Sequence, residues 1–125
     1  MFCTAINCMD GRVQLTVINY MQKRFKAVDV DMITEPGPNK ILAEGADTVA
    51  VASIRYRIDI SLEKHKSCGM AIVGHEDCGG NPAEKPEQLK QLVAARLFLK
   101  ETYPDVECIA LWVDLKGNTE ELVEA

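Results

Sequence analysis

Apolar residues gather in short runs that alternate with longer stretches of mixed character. Phe2 to Cys8 is rich in apolar side chains and holds neither Gly nor Pro, the pattern of a strand buried on both faces. Val28–Ile33, Cys68–Val73 and Cys108–Val113 repeat that pattern, so four strands are predicted. Between them, Val13, Val17, Ile18, Met21 and Phe25 recur at spacings of three and four. Leu89, Leu92, Val93 and Leu97 do the same, which predicts two amphipathic helices. The stretch 51–62 carries both periods. Ile54, Tyr56, Ile58, Ile60 and Leu62 alternate as in a strand, yet Val51, Ile54, Ile58 and Leu62 mark one helix face behind a candidate N-cap, Asp47. A parallel connection needs a crossover helix, and the segment is read as helix on that ground. Glu35-Pro36-Gly37-Pro38 is expected to form a rigid turn.

Strands alternating with helices imply an α/β fold with a parallel four-stranded sheet flanked by helices. Right-handed crossovers restrict the strand order. With the second strand on one side of the first and the third on the other, the order is 2-1-3-4. Its switch point lies between strands one and three, where ligands bind at the carboxyl ends of strands. Cys8-Met9-Asp10-Gly11-Arg12 closes the first strand, and His75-Glu76-Asp77-Cys78-Gly79-Gly80 follows the third. Topology and side-chain chemistry therefore select the same place.

Cys8, Cys78 and His75 offer two thiols and one imidazole, a three-donor set suited to zinc. Catalytic zinc keeps three protein ligands and an open position, whereas structural zinc takes four, so chemistry on water is expected. Asp10 lies two residues beyond Cys8, in reach of the metal or its water, and Arg12 can grip that carboxylate through a bidentate pair. Held by Arg12, Asp10 orients the nucleophile; released, it closes the site.

Composition narrows the remaining choices. The 125 residues suit one domain, 1–125, with a real core. No apolar run approaches a bilayer span, and the N-terminus lacks the basic-then-apolar pattern of a secretory leader. A net charge of −5 argues against nucleic acid as a partner. Five cysteines without a scaffold pattern read as intracellular thiols, so a cytoplasmic location is expected and no membrane partner. Cys3 and Cys108 are read as packing residues, and Cys68 lies at the far end of the third strand from His75. Met21, Met32 and Met70 suit core positions, and Trp112 a buried strand or a subunit contact. His65 is placed at a solvated helix end. Glu76 and Asp77 are placed in a solvent-facing turn without a role, and Gly79-Gly80 lets the chain turn tightly.

Cys8, Asp10 and Arg12 form a Cys-x-Asp-x-Arg motif, and His75, Cys78 and Gly79 a His-x-x-Cys-Gly motif. The pair resembles the signatures of the β-class carbonic anhydrases, and Ser53 to Gly80 is also similar to that family. The resemblance covers residues 1–113. It implies a parallel α/β sheet and one zinc ion per chain, held by Cys8, His75 and Cys78. It also implies reversible hydration of carbon dioxide to bicarbonate by a zinc-bound hydroxide, with Asp10 and Arg12 as the orienting and gating pair. A homo-oligomer, specifically a dimer, is implied as well. The chain departs from the pattern at Gly11, where the family commonly has Ser, and at Glu35-Pro36-Gly37-Pro38-Asn39, which replaces an Arg-Asn-Ala-Gly-Asn type of loop. It begins almost at the first motif, so the N-terminal helices that embrace a partner in many relatives are not expected. Two other readings stay open. One is hydrolysis of carbonyl sulfide or carbon disulfide by the same hydroxide. The other is a zinc-binding relative with a structural or regulatory role.

Overall fold

A computed structural model describes residues 1–122. Along the chain run β1 (Phe2–Asn7), α1 (Gln14–Phe25), β2 (Asp29–Thr34), α2 (Pro38–Glu44), α3 (Thr48–Lys64), β3 (Gly69–His75), α4 (Lys85–Thr102), β4 (Glu107–Val113) and β5 (Thr119–Glu121). The sheet order is β2-β1-β3-β4-β5. The first four strands are parallel in the expected order. A fifth strand, β5, adds antiparallel to β4 through Leu111↔Glu121 and Val113↔Thr119, so the sheet is mixed and not purely parallel.

Both unforeseen elements have local causes. β5 is three largely polar residues, too short for apolar alternation to reveal. What builds it is the preceding turn, where the Asp114 carboxylate accepts N–H groups from Lys116 and Asn118 and Gly117 supplies a φ of 88°. The turn at residues 35–38 continues into α2, a helix punctuated at both ends. Pro38 stands in its first turn, and Gly45 (φ 65°) caps its end by donating N–H to the Ile41 carbonyl.

The reversal of direction at β1/β3 distributes the helices. α1 covers one face, where Val17 and Met21 pack with Cys3, Ala5, Ala71, Val73 and Leu111. α2, α3 and α4 cover the other, where Leu42, Ile54, Ile58, Leu92 and Leu99 meet Ile6, Met70, Ile72 and Ala110. Each large aliphatic side chain fully buried in these layers is worth about 1.5–3 kcal/mol relative to exposure. The 51–62 stretch is helical, with Ile54 and Ile58 on the buried face, and Asp47 caps α3 by accepting the Ala50 N–H at 3.0 Å. The α4 stripe differs from expectation. Its buried line is Gln88, Leu92, Ala95 and Leu99, while Val93 and Leu97 are exposed. Gln88 faces inward because its amide has partners there, a polar position that hydrophobic spacing does not register.

Polar groups at the amino end of the sheet are also satisfied. Thr4, Ser61 and Ser67 bond to one another in the interior, and Ser61 donates to the Asp31 carboxylate at 2.6 Å. His65 ends α3 as expected and is partly exposed, yet its Nδ1 lies 2.7 Å from Asp31 and its ring stacks on Phe2.

Burial pushes the Cys3 thiol up to about 11 and the Cys108 thiol up to about 12, from an ordinary 9.0. The folded chain therefore holds these protons more tightly than the unfolded chain. Their stabilisation is complete below pH 9 and is lost as pH rises through 11 and 12. The urea midpoint is expected to fall steadily above pH 9, and a Cys3→Ala, Cys108→Ala double variant should show a shallower alkaline limb.

Candidate metal centre

β1 and β3 lie side by side, with Ile6 opposite Ile72, so their carboxyl ends emerge together. Cys8 leaves β1 one residue past its last paired position, and His75 is the final residue of β3. The chain then turns through Asp77, whose φ of 56° is left-handed, and Cys78 comes back to face Cys8. One ligand atom from each of Cys8, His75 and Cys78 lies within 4.8 Å of the others. The two motifs meet.

The fit to zinc can be tested on three features. The Cys8 and Cys78 sulfurs are 3.8 Å apart. Tetrahedral zinc with bonds near 2.3 Å sets its thiolate sulfurs about 3.8 Å from one another. His75 donates Nδ1–H to the Glu76 carbonyl at 2.7 Å, the bond that fixes the tautomer of ligating imidazoles. That leaves Nε2, which is buried and has no hydrogen-bond partner. A buried ring nitrogen without a partner carries a desolvation cost that a metal bond removes. Burial also pushes the Cys78 thiol pKa up; N–H groups of Gly80 and Asn81 aimed at the sulfur oppose that rise, and neighbouring Cys8 adds to it. A divalent cation would reverse the balance. The residues fit the ion.

Asp10 stays off this cluster. Its Oδ1 accepts the Arg12 backbone N–H at 2.9 Å and Nε at 3.0 Å, and its Oδ2 accepts an Arg12 terminal N–H at 2.7 Å. These bonds hold the carboxyl at about 2, well below its usual range. Gln14 at the start of α1 braces the loop by donating to the carbonyls of Cys8 and Asp10, both at 2.7 Å. A Cβ at Gly11 would meet nothing within 4 Å, so the position of the absent Ser hydroxyl is open space.

Asp77, expected to have no role, supports Arg12 from the second motif. Arg12 donates to its carboxylate at 3.3 Å and to its carbonyl at 3.1 Å. Glu76, expected to be idle too, accepts the Leu115 N–H at 3.1 Å and ties the loop after β3 to the β4–β5 turn. Neither contact could be read from spacing, since both join residues far apart in the chain. Cys78 and Asp77 also line a cavity of about 300 Å³ with Glu76, Asn81, Pro82, Ala83 and Glu84.

The loop after β2 packs directly behind the loop after β3 that carries Cys78. Gly37 approaches so closely that a Cβ there would lie 2.8 Å from the Gly80 carbonyl oxygen, and a Cβ on Gly80 would lie 2.5 Å from Pro36 backbone. Asn39 donates to Gln88, which in turn donates to the His75 carbonyl at 3.0 Å. Gly80→Ala is expected to cost about 1–3 kcal/mol, since backbone must move, and to lower the urea midpoint. A midpoint equal to the parent's would show that the two loops are not tightly apposed.

The chain matches, over residues 1–123, a family model described as "Putative carbonic anhydrase". No curated protein sequence matches it. Among solved structures, it is similar to tetrameric β-carbonic anhydrases of Sordaria macrospora, with a TM-score of 0.64 and 16% identity over 96% of this chain and 79% of that one. A carbonic anhydrase of Streptococcus mutans gives 0.66 and 16%, covering 97% and 81%. A β-carbonic anhydrase of Aspergillus fumigatus gives 0.56 and 18%, covering 98% and 76%.

Proposed function

The chain belongs to the carbonic anhydrase family which that model describes, and on this premise we propose that it catalyses reversible hydration of carbon dioxide to bicarbonate. In this reading one zinc ion per chain is held by Cys8, His75 and Cys78. The observation that carries it is the buried, unpartnered Nε2 of His75 beside two sulfurs 3.8 Å apart. Bound zinc supplies a Lewis acid that brings water into an ionisable range near pH ~7, against 15.7 in bulk.

The protein's own residues do the rest. A carboxylate offers about four acceptor sites, and Arg12 meets Asp10 with three N–H groups, its Nε–H shared between the two oxygens at 3.0 and 3.2 Å. Three donors for about four sites leave Asp10 capacity to accept the O–H of the nucleophile and orient it toward carbon dioxide. Asp10 stays ionised throughout the neutral range, since Arg12 holds its pKa at about 2. It therefore acts as an acceptor that orients, not as an acid. Paired with Arg12, it is also kept apart from the Cys8, His75 and Cys78 cluster that would hold the ion. That pairing supports catalysis over a purely structural role, in which Asp10 would stay on the metal.

A homo-oligomer is part of the same proposal. The Sordaria macrospora proteins are tetrameric, and β2 of this chain pairs only with β1 among the described residues, leaving an edge open. No helix among the described residues is long and apolar enough to cross a membrane.

Stopped-flow hydration measured across pH, with metal analysis of the same sample, tests the reading. Near-stoichiometric zinc and hydration above the buffer rate are expected. Zinc without hydration at any pH would leave a non-catalytic metal module, and protein purified without chelator yet free of zinc would remove the metal centre itself.

A further inference from the structure

Arg12, in the first motif, reaches across to the second, and its bonds divide by edge. Nε and one terminal nitrogen serve Asp10, at 3.0 and 2.7 Å. The other terminal nitrogen reaches the Asp77 carboxylate at 3.3 Å, and the remaining hydrogen of the first reaches the Asp77 carbonyl at 3.1 Å. A guanidinium carries five N–H donors in a rigid fork, so the two acidic residues use different donors and do not compete. The left-handed backbone at Asp77 (φ 56°) is what presents both its carbonyl and its carboxylate to Arg12. This residue stands between two metal-ligating positions, His75 and Cys78.

We infer that Asp77 is a positioning residue for the metal centre: it anchors Arg12 to the second motif so that Arg12 keeps Asp10 turned away from the metal. The inference rests on the site reading above and adds to it a part that the ligand set does not contain. The anchor is exposed, with 76% of the Asp77 side chain open to solvent. Exposed pairs are modest and are screened by salt. Its effect is accordingly a bias between the open and the closed arrangement of Asp10, not an all-or-none switch.

Two consequences have opposite signs, which makes the inference testable. Losing the Asp77 carboxylate removes a negative charge near the centre, and charge alone would draw anions in more tightly. Losing the anchor lets Asp10 reach the metal and exclude anions from it. The experiment uses cobalt(II)-loaded protein titrated with azide, read by its visible absorption. Asp77→Gly keeps the left-handed turn, where glycine is at ease, and Asp77→Asn keeps an uncharged acceptor there.

Azide is expected to bind Asp77→Gly roughly two- to five-fold more weakly than the parent, the range of an exposed ion pair, with Asp77→Asn in between. Cobalt should load equally in all three proteins, and the difference should shrink in high salt. Azide affinity unchanged or tighter in Asp77→Gly overturns the inference while leaving the metal site intact. A parent that loads cobalt but admits no azide overturns the open-site reading instead, and this inference with it.

Discussion

His75→Ala is expected to lose zinc and carbon dioxide hydration together, while the chain still folds. The imidazole is 1% exposed and closes the last rung of β3 against Val113 of β4. Without it, two buried thiols remain, and burial holds the proton on Cys78. Two thiol donors alone are poor ligands, because metal binding releases protons and no third bond then offsets that cost. Zinc per chain should fall from near one to a small fraction after dialysis against a weak chelator. Hydration should fall on the order of a thousand-fold, toward the buffer rate, since the lowered pKa of bound water goes with the ion. A ligand that binds only the folded state stabilises it by about 4 kcal/mol at a thousand times its Kd. Added zinc should therefore raise the melting temperature of the parent and leave His75→Ala unmoved. The proton linkage fixes a sign as well: parent zinc affinity should weaken as pH falls, because two thiols must ionise to bind. Stoichiometric zinc in His75→Ala would show that the ligand set is wrong.

The meeting of Cys8, His75 and Cys78 was legible in the sequence because these residues sit at strand ends. Alternating elements and the right-handed crossover rule bring Cys8 and His75 to adjacent carboxyl termini before any side chain is placed. Motif spacing then supplies Asp10 and Arg12. What the sequence did not disclose falls into two kinds. Short elements escaped because they lack a period: β5 has three residues, and α2 was hidden inside a turn motif even though Gly37, Pro38 and Gly45 punctuate it as a helix. Long-range polar contacts escaped because nothing local encodes them. Asp77 to Arg12 spans 65 positions, and Asn39 to Gln88 spans 49. The α4 stripe shows the same limit from the other side, since inward-facing Gln88 breaks the hydrophobic spacing that would place the face correctly.

Arg12→Ala is expected to separate metal binding from turnover. The Arg12 side chain bonds to Asp10 and Asp77 and to none of Cys8, His75 and Cys78, so zinc content should equal the parent's. What changes is Asp10, which loses all three side-chain bonds that Arg12 gives it. With zinc held at Cys8, a carboxylate two residues away would then have a better partner in the cation than in water. It either fills the fourth position or stops orienting the nucleophile, and both lower kcat/KM. Positioned acceptors of this type contribute on the order of a hundred-fold or more, and a loss of that size is expected. The double variant Asp10→Ala, Arg12→Ala distinguishes the two routes. If Arg12→Ala is slow because Asp10 blocks the metal, removing Asp10 as well restores part of the rate and restores azide binding. If it is slow only because the nucleophile is unaimed, the double variant is no faster than Arg12→Ala. An Arg12→Ala protein as fast as the parent would show that the ion pair has no part in the chemistry. The zinc would then act with water alone.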